Sequence, residues 1–100
     1  MFKGTTPTHT FSLPFDSSLI KEIRIIYSQK GKVVLKKATD ECTIEDSTVK
    51  TKLSQEDTFQ FKGNVPVSII LRVLTQGNDA IRSLPIVRSV AELCDDEVLV

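Results

Sequence analysis

The sequence predicts an all-β sandwich of about seven strands with one short helical turn. Two observations predict it. Apolar residues recur at every second position through most of the chain, which is the period of a strand with one buried face. Turn-forming residues (Gly, Asn, Asp and Ser) interrupt this alternation about every ten residues, as they do between the strands of a sandwich. We expect a single β-sandwich domain over residues 1–100, with residues 1–8 and 95–100 flexible.

The first half of the chain carries the clearest strand patterns. Apolar residues alternate over Phe11–Phe15 and predict a first strand. Pro14 cannot donate to a ladder, which restricts this strand to an edge or Pro14 to its end. Residues 22–28 alternate in the same way, and a turn at 29–32 follows them. Gly31 in that turn is free to adopt the positive φ that a hairpin requires, so the next strand is expected to return alongside.

A second hairpin is predicted from residues 42–44 and 49–53, because residues 45–48 between them favour turns. The pair Ser54 and Asp57 then has the spacing of a helix capping box, in which each side chain bonds the other residue's amide. The apolar residues that follow are again spaced by two. The helix is therefore expected to be about one turn long.

The second half contains the most hydrophobic stretch, residues 67–74, which is apolar on one face and partly on the other and so predicts a central strand. A turn at 76–79 precedes a last extended stretch, residues 80–94. Within it, Pro85 predicts a bulge, a kink or a switch between sheets. Residues 95–100 are acidic and then apolar. They are either disordered or the element that contacts a partner.

Charge and hydropathy limit the classes of partner. The 13 Lys and Arg residues balance the 13 Asp and Glu residues, which removes the electrostatic attraction that nucleic acids and anionic membranes depend on. Six basic residues between Lys21 and Lys37 face a single acidic one, Glu22. We interpret them as a solvated face of two strands. No leader or membrane-length apolar stretch is visible, so we expect a soluble protein without nucleic-acid or membrane partners.

No residue pattern indicates catalysis, a cofactor or a metal. His9 is the only histidine, no other histidine or cysteine lies near it in sequence, and no G-x-S-x-G motif occurs, so His9 is interpreted as a surface residue. The acidic pair 56–57 is explained by helix capping, and the cluster 95–97 by its place in the last segment. The isolated glycines form no phosphate-binding loop. We therefore predict that the protein is not an enzyme.

Residues 53–61 resemble a known β-sandwich motif. Leu53, Glu56, Asp57 and Thr58 match the L-x-x-E-D-T-a-x-Y corner that precedes strand F of immunoglobulin domains. Phe61 replaces the tyrosine, so the hydroxyl hydrogen bond of that corner cannot form. This resemblance implies an immunoglobulin-like sandwich.

Four segments resemble short β proteins encoded by prophages of Gram-positive bacteria: residues 4–11, 13–16, 53–61 and 72–75. The resemblance implies a structural protein of the neck, tail or baseplate of a phage-like particle. Such a protein is made in the bacterial cytoplasm and ends in the virion. Its partners are proteins, either its own copies in a homo-oligomer or other virion proteins. The alternative is a monomeric immunoglobulin-like module that binds a protein or a glycan through loops at one end.

The two cysteines, Cys42 and Cys94, are spaced like the intersheet pair of an immunoglobulin domain, but the tryptophan that packs on such a disulfide is missing. In the absence of a visible export signal we predict that both are reduced. Both thiols should then react with a thiol reagent after unfolding without reductant. Protein purified under non-oxidising conditions that shows no titratable thiol would contradict this.

Overall fold

A computed structural model describes residues 1–83 and 85–91. These residues form eight strands in two antiparallel sheets, one short α-helix and two single-turn 3₁₀ helices, which confirms the predicted all-β sandwich with its short helical turn. The 3₁₀ turns lie at Ser17–Leu19 and Thr39–Glu41. The other elements are β1 (Thr8–Ser12), β2 (Ile20–Gln29), β3 (Lys32–Ala38), β4 (Thr43–Glu45), β5 (Thr48–Lys52), α1 (Gln55–Phe59), β6 (Val67–Thr75), β7 (Ala80–Arg82) and β8 (Ile86–Arg88).

The strand order explains how the last extended stretch is used. The smaller sheet has the order β1-β5-β4, and the larger has β3-β2-β6 with β7 and β8 both on the free side of β6. β7 pairs with residues 72–74 and β8 with residues 67–69. Between them Ser83 bonds Leu71 twice, through its amide (2.8 Å) and its hydroxyl (3.0 Å). The interruption predicted at Pro85 is therefore a break within one edge, and both segments stay in the same sheet.

The core lies between the sheets and follows the predicted alternation. β2 and β6 pair antiparallel from one end to the other, which confirms that the most hydrophobic stretch is a central strand. Phe11 of β1 and Val49 of β5 face them from the smaller sheet, and both are buried. The buried apolar side chains of the larger sheet come from alternate positions of its two longest strands: Ile23, Ile25, Tyr27, Val67, Ile69, Leu71 and Val73.

The first predicted hairpin is confirmed. Gln29 pairs with Lys32, so the loop consists of Lys30 (φ 51°) and Gly31 (φ 77°). Two positive φ values in a two-residue loop match the type I′ turn, whose twist fits that of paired strands. Val34 is left without a partner, because Ser28 pairs with Val33 and Tyr27 with Leu35. This bulge distorts the outer edge of the sheet.

The capping box is also confirmed. The Asp57 amide donates to the Ser54 hydroxyl (3.0 Å), and the Ser54 amide donates to the Asp57 carboxylate (2.9 Å). The helix ends after Phe59 because the following apolar residue, Phe61, must enter the core. One turn of helix therefore closes the end of the sandwich.

The first residues of the chain lie beside residues 89–91. The Met1 amino group donates to the Ser89 carbonyl (2.7 Å), and the Ala91 amide donates to the Met1 carbonyl (2.8 Å). Phe2 and Ala91 form an isolated parallel bridge. The flexibility expected of residues 1–8 stays a prediction, and residues 94–100, with Cys94 and the acidic cluster, lie outside the described part of the chain.

Leu71→Ala should lower the free energy of unfolding by about 2–5 kcal/mol, because Leu71 is buried between the sheets and its truncation leaves a cavity. Lys36→Ala, on the exposed side of β3, should change it by no more than about 0.5 kcal/mol. Chemical denaturation of both variants measures the difference. Equal losses would mean that the assigned inner and outer faces are wrong.

Candidate interaction surfaces

His9 lies in a different environment from the predicted one. It is half-buried in β1, and its Nδ1 lies 2.7 Å from the hydroxyl of Tyr27 in the opposite sheet. The ring of Tyr27 in turn packs against the ring of Phe61, with the two centroids 5.8 Å apart. Tyr27 has no exposed surface, so its hydroxyl needs a partner inside the protein. His9 supplies that partner and thereby joins the two sheets.

The titration of this pair favours a structural role. Burial lowers the pKa of His9, and the positive charges of Arg88 and the amino terminus lower it further. Burial likewise raises the pKa of Tyr27 well above its ordinary value. Both side chains are therefore neutral at pH 7, and the contact is a hydrogen bond between uncharged groups.

Lys37 departs from the prediction for its group of basic residues. Five of the six are exposed, but Lys37 is buried, and its Nζ lies 2.8 Å from a carboxylate oxygen of Asp57 and 3.4 Å from one of Glu41. The interpretation as a solvated face is wrong for this residue. The same carboxylate of Asp57 thus caps the helix and pairs with a strand of the larger sheet.

Burial acts against the ionisation of both groups, and their pairing outweighs it. Burial alone would lower the pKa of Lys37, but the neighbouring carboxylates of Asp57 and Glu41 raise it above its ordinary value. Burial alone would raise the pKa of Asp57, but hydrogen bonds from Lys37 and Ser54 hold it below its ordinary value. Both side chains are therefore charged at pH 7.

Within the described ranges no group of three or more His, Cys, Asp and Glu side chains could hold a metal ion. None of the helices described is long and apolar enough to cross a membrane. Every buried side-chain nitrogen and oxygen in the same ranges has a hydrogen-bond partner.

The four sheet edges differ in how well they are protected against pairing with another chain. The β3 edge contains a bulge and the exposed Lys32 and Lys36, which are two common protective features. β4 is only three residues long. The edge formed by β7 and β8 is interrupted before Pro85. These three edges offer little continuous backbone to a partner strand.

The β1 edge has no such protection. Prolines bracket the strand at positions 7 and 14, but its five residues contain no proline, charge or bulge. The Leu53 amide donates to the Pro7 carbonyl (2.9 Å), and the Leu13 amide donates to the Ser47 carbonyl (2.7 Å). These two bonds show that the odd-numbered residues of this segment are the ones that hydrogen-bond to β5. In an antiparallel pair bonded residues alternate, so the amides and carbonyls of alternate β1 residues point to the free edge. Those residues are Thr8, Thr10 and Ser12.

An open apolar depression of about 270 Å³ lies beside this edge. The depression lies between the segment that follows β1 and the β7 segment. Its apolar walls include Leu13, Phe15 and Ile81. Ile81 is 44% exposed, which is unusual for an inward-facing strand residue. A strand added at β1 would lie over this opening. The free edge and the apolar depression together form the β1 docking surface.

Comparison with known protein families, with curated proteins and with solved structures found no match. No site residue was predicted from the sequence, and the one contact element that was, residues 95–100, lies outside the described residues. The β1 docking surface was missed, although the prolines on either side of an uncharged strand were a usable signal.

Asp57→Asn should lower the free energy of unfolding by about 1–3 kcal/mol at pH 7, because it removes the main partner of the buried Lys37 ammonium. Glu41→Gln is the matched control and should cost less than about 0.5 kcal/mol, because the Glu41 side chain is 47% exposed and its contact with Lys37 is longer, at 3.4 Å. The pKa of Asp57 is lowered by folding, so its contribution is complete above the unfolded-state pKa of about 3.9 and is lost at lower pH. Denaturation curves at pH 7 and pH 3 should show the gap between the native protein and Asp57→Asn shrinking; a constant gap would contradict the pairing.

Proposed function

We propose that the protein is a non-enzymatic structural protein of a phage-like particle that assembles through protein–protein contacts. The observation that carries the proposal is the β1 docking surface, the one unprotected edge among the described strands. Main-chain hydrogen bonds at such an edge join two proteins without any chemistry. The resemblance of four segments to prophage-encoded β proteins supports the proposal that the assembly is a phage-like particle.

The β1 edge is suited to a second copy of the same chain. Two antiparallel copies of β1 related by a two-fold axis place Thr10 opposite Thr10, and Thr8 opposite Ser12. Each of these residues directs its amide and carbonyl outward, so the donors and acceptors of one copy meet those of the other. Threonine and serine pairs across strands also hydrogen-bond through their side chains. The contact joins two three-stranded sheets into a continuous six-stranded one.

The docked strand also accounts for the open side of the sandwich. The added strand lies over the depression lined by Leu13, Phe15 and Ile81, and removes part of their apolar surface from water. The flanking Pro7 and Pro14 limit the pairing to five residues, so the contact stays finite. This geometry supports directed assembly, in contrast to open aggregation.

The test uses light scattering or sedimentation over a concentration series. The native protein should self-associate, and Thr10→Pro should weaken association at least tenfold because it removes an outward amide without breaking the ladder to β5. Thr10→Val is the matched control: it keeps the outward amide and the shape, loses only the side-chain hydrogen bond of the Thr10 pair, and should weaken association far less than Thr10→Pro does. Circular dichroism checks that both variants are folded.

Two results would count against the proposal. A native protein that is strictly monomeric and binds no product of a neighbouring gene would leave the alternative, a monomeric immunoglobulin-like module that binds a protein or glycan. Thr10→Pro that stays folded and associates like the native protein would show that the β1 edge is not the contact.

A further inference from the structure

The outer face of the larger sheet carries a row of three arginines. Arg24 of β2 pairs directly with Arg72 of β6, and Arg72 pairs directly with Arg82 of β7. Arg24 and Arg72 are exposed because their neighbours along the strand turn into the core, and Arg82, which pairs with Arg72, is exposed as well. Adjacent strands lie about 4.8 Å apart, so the Cα atoms of the three arginines lie within about 10 Å of each other. We refer to these residues as the arginine row.

The arginine row opposes folding unless something neutralises it. Like charges directly opposite each other in a sheet destabilise the pairing. One carboxylate relieves it: Glu22 lies 3.0 Å from the guanidinium of Arg24. Within residues 1–83 and 85–91, Arg72 and Arg82 have no carboxylate within 4 Å. Two guanidinium groups are thus left facing outward, where they can bind carboxylates in pairs of parallel hydrogen bonds.

Apolar side chains surround the row. Ile26, Ile70 and Leu74 lie on the same outer face and are half-buried, and Val87 is 59% exposed. An open depression of about 230 Å³ lies at the row itself, between Arg24, Arg72, Leu74 and Ala80. The face therefore suits a segment that is acidic at one end and apolar at the other.

The chain itself contains one segment of that kind, Asp95-Asp96-Glu97-Val98-Leu99-Val100. We propose that these residues of one copy dock on the arginine row of a second copy, with the three carboxylates on the arginines and the apolar residues on Ile70 and its neighbours. The inference rests on the proposed assembly function and supplies a second contact for it.

Chain length favours a second copy over the same one. β8 runs away from the row, since Arg88 pairs with Val67, and the Val90 carbonyl accepts from Asn64, which lies beyond Val67. Arg72, the middle residue of the row, is five residues after Val67 in β6, which is a distance of about 17 Å along the strand. Asp95 is four residues after Ala91 and can reach at most about 14 Å from it. A fully extended chain from Ala91 falls short of the row at Asp95, which is why we assign the contact to a second copy.

Charge reversal of the full-length chain tests the contact. Arg72→Glu/Arg82→Glu and, separately, Asp95→Lys/Asp96→Lys should each weaken self-association at least tenfold in sedimentation experiments. A 1:1 mixture of the two variants should restore it, because the lysine segment of one fits the glutamate row of the other and the native segment fits the native row. Lys30→Glu/Lys62→Glu, the same charge change at two exposed positions outside both proposed contacts, is the matched control and should associate like the native protein.

The outcomes separate this contact from the β1 contact. The row variant should not be less stable in thermal unfolding, because a glutamate at position 72 faces Arg24 favourably. Association that is sensitive to Thr10→Pro but not to charge reversal would overturn the arginine-row contact and leave the assembly function standing. Failure of the mixture to restore association would also overturn the arginine-row contact. A third contrary result would be a row variant that self-associates like the native protein but no longer binds a single-stranded oligonucleotide, because the row would then bind nucleic acid and not a second copy. A native chain that never self-associates would overturn both the β1 contact and the arginine-row contact.

Discussion

The pairing of β2 with β6 determines most of what the molecule presents to its surroundings. Its register places Ile25 beside Leu71 on the inner face, where both are buried. Because side chains alternate along a strand, the same register puts Arg24 beside Arg72 on the outer face. A slip by one residue would bury the arginines and expose the core, so the two faces cannot be chosen separately. The positive outer face is the consequence of a pairing that the core requires.

Two polar contacts then hold the smaller sheet and the helix against this pair of strands. Tyr27 is the largest fully buried side chain, and its hydroxyl is satisfied by His9 from β1. Lys37 of β3 pairs with Asp57, which also caps α1. Each contact joins elements that are far apart in the chain. Buried polar groups tolerate few alternative partners, so these contacts restrict how the sheets can sit on one another.

The elements that were predictable from the sequence are those encoded by local patterns. Alternation over residues 67–74 identified the central strand, Gly31 identified a hairpin turn, and Ser54 with Asp57 identified the helix start. Each of these signals lies within a few residues of the structure it specifies. The break before Pro85 was also predictable, but not that β7 and β8 would share one edge, because that depends on the length of β6.

The contacts between elements could not be predicted in the same way. His9 and Tyr27 are 18 residues apart, and Lys37 and Asp57 are 20 apart. No local pattern in one segment indicates its partner in the other, because the two side chains meet only when the sheets are stacked. The arginine row is a further case: positions 24, 72 and 82 become neighbours through register alone. Arg24 therefore belongs, by sequence, to the predicted solvated face, and no sequence pattern indicates that Arg72 and Arg82 lie beside it.

The two proposed contacts differ in symmetry, and the difference has a structural consequence. The β1 contact uses the same residues on both copies, so by itself it closes on a two-fold axis and stops at a dimer. The arginine-row contact joins two different surfaces, a face on one copy and a segment on the next. Such a contact propagates until it closes a ring or continues as a filament. Used together they would join rings or filaments in pairs, while the protected edges at β3, β4 and β7–β8 prevent further sheet growth. In the proposed assembly, a chain of 100 residues with no net charge would thereby have the two independent and directional contacts that an extended structure needs.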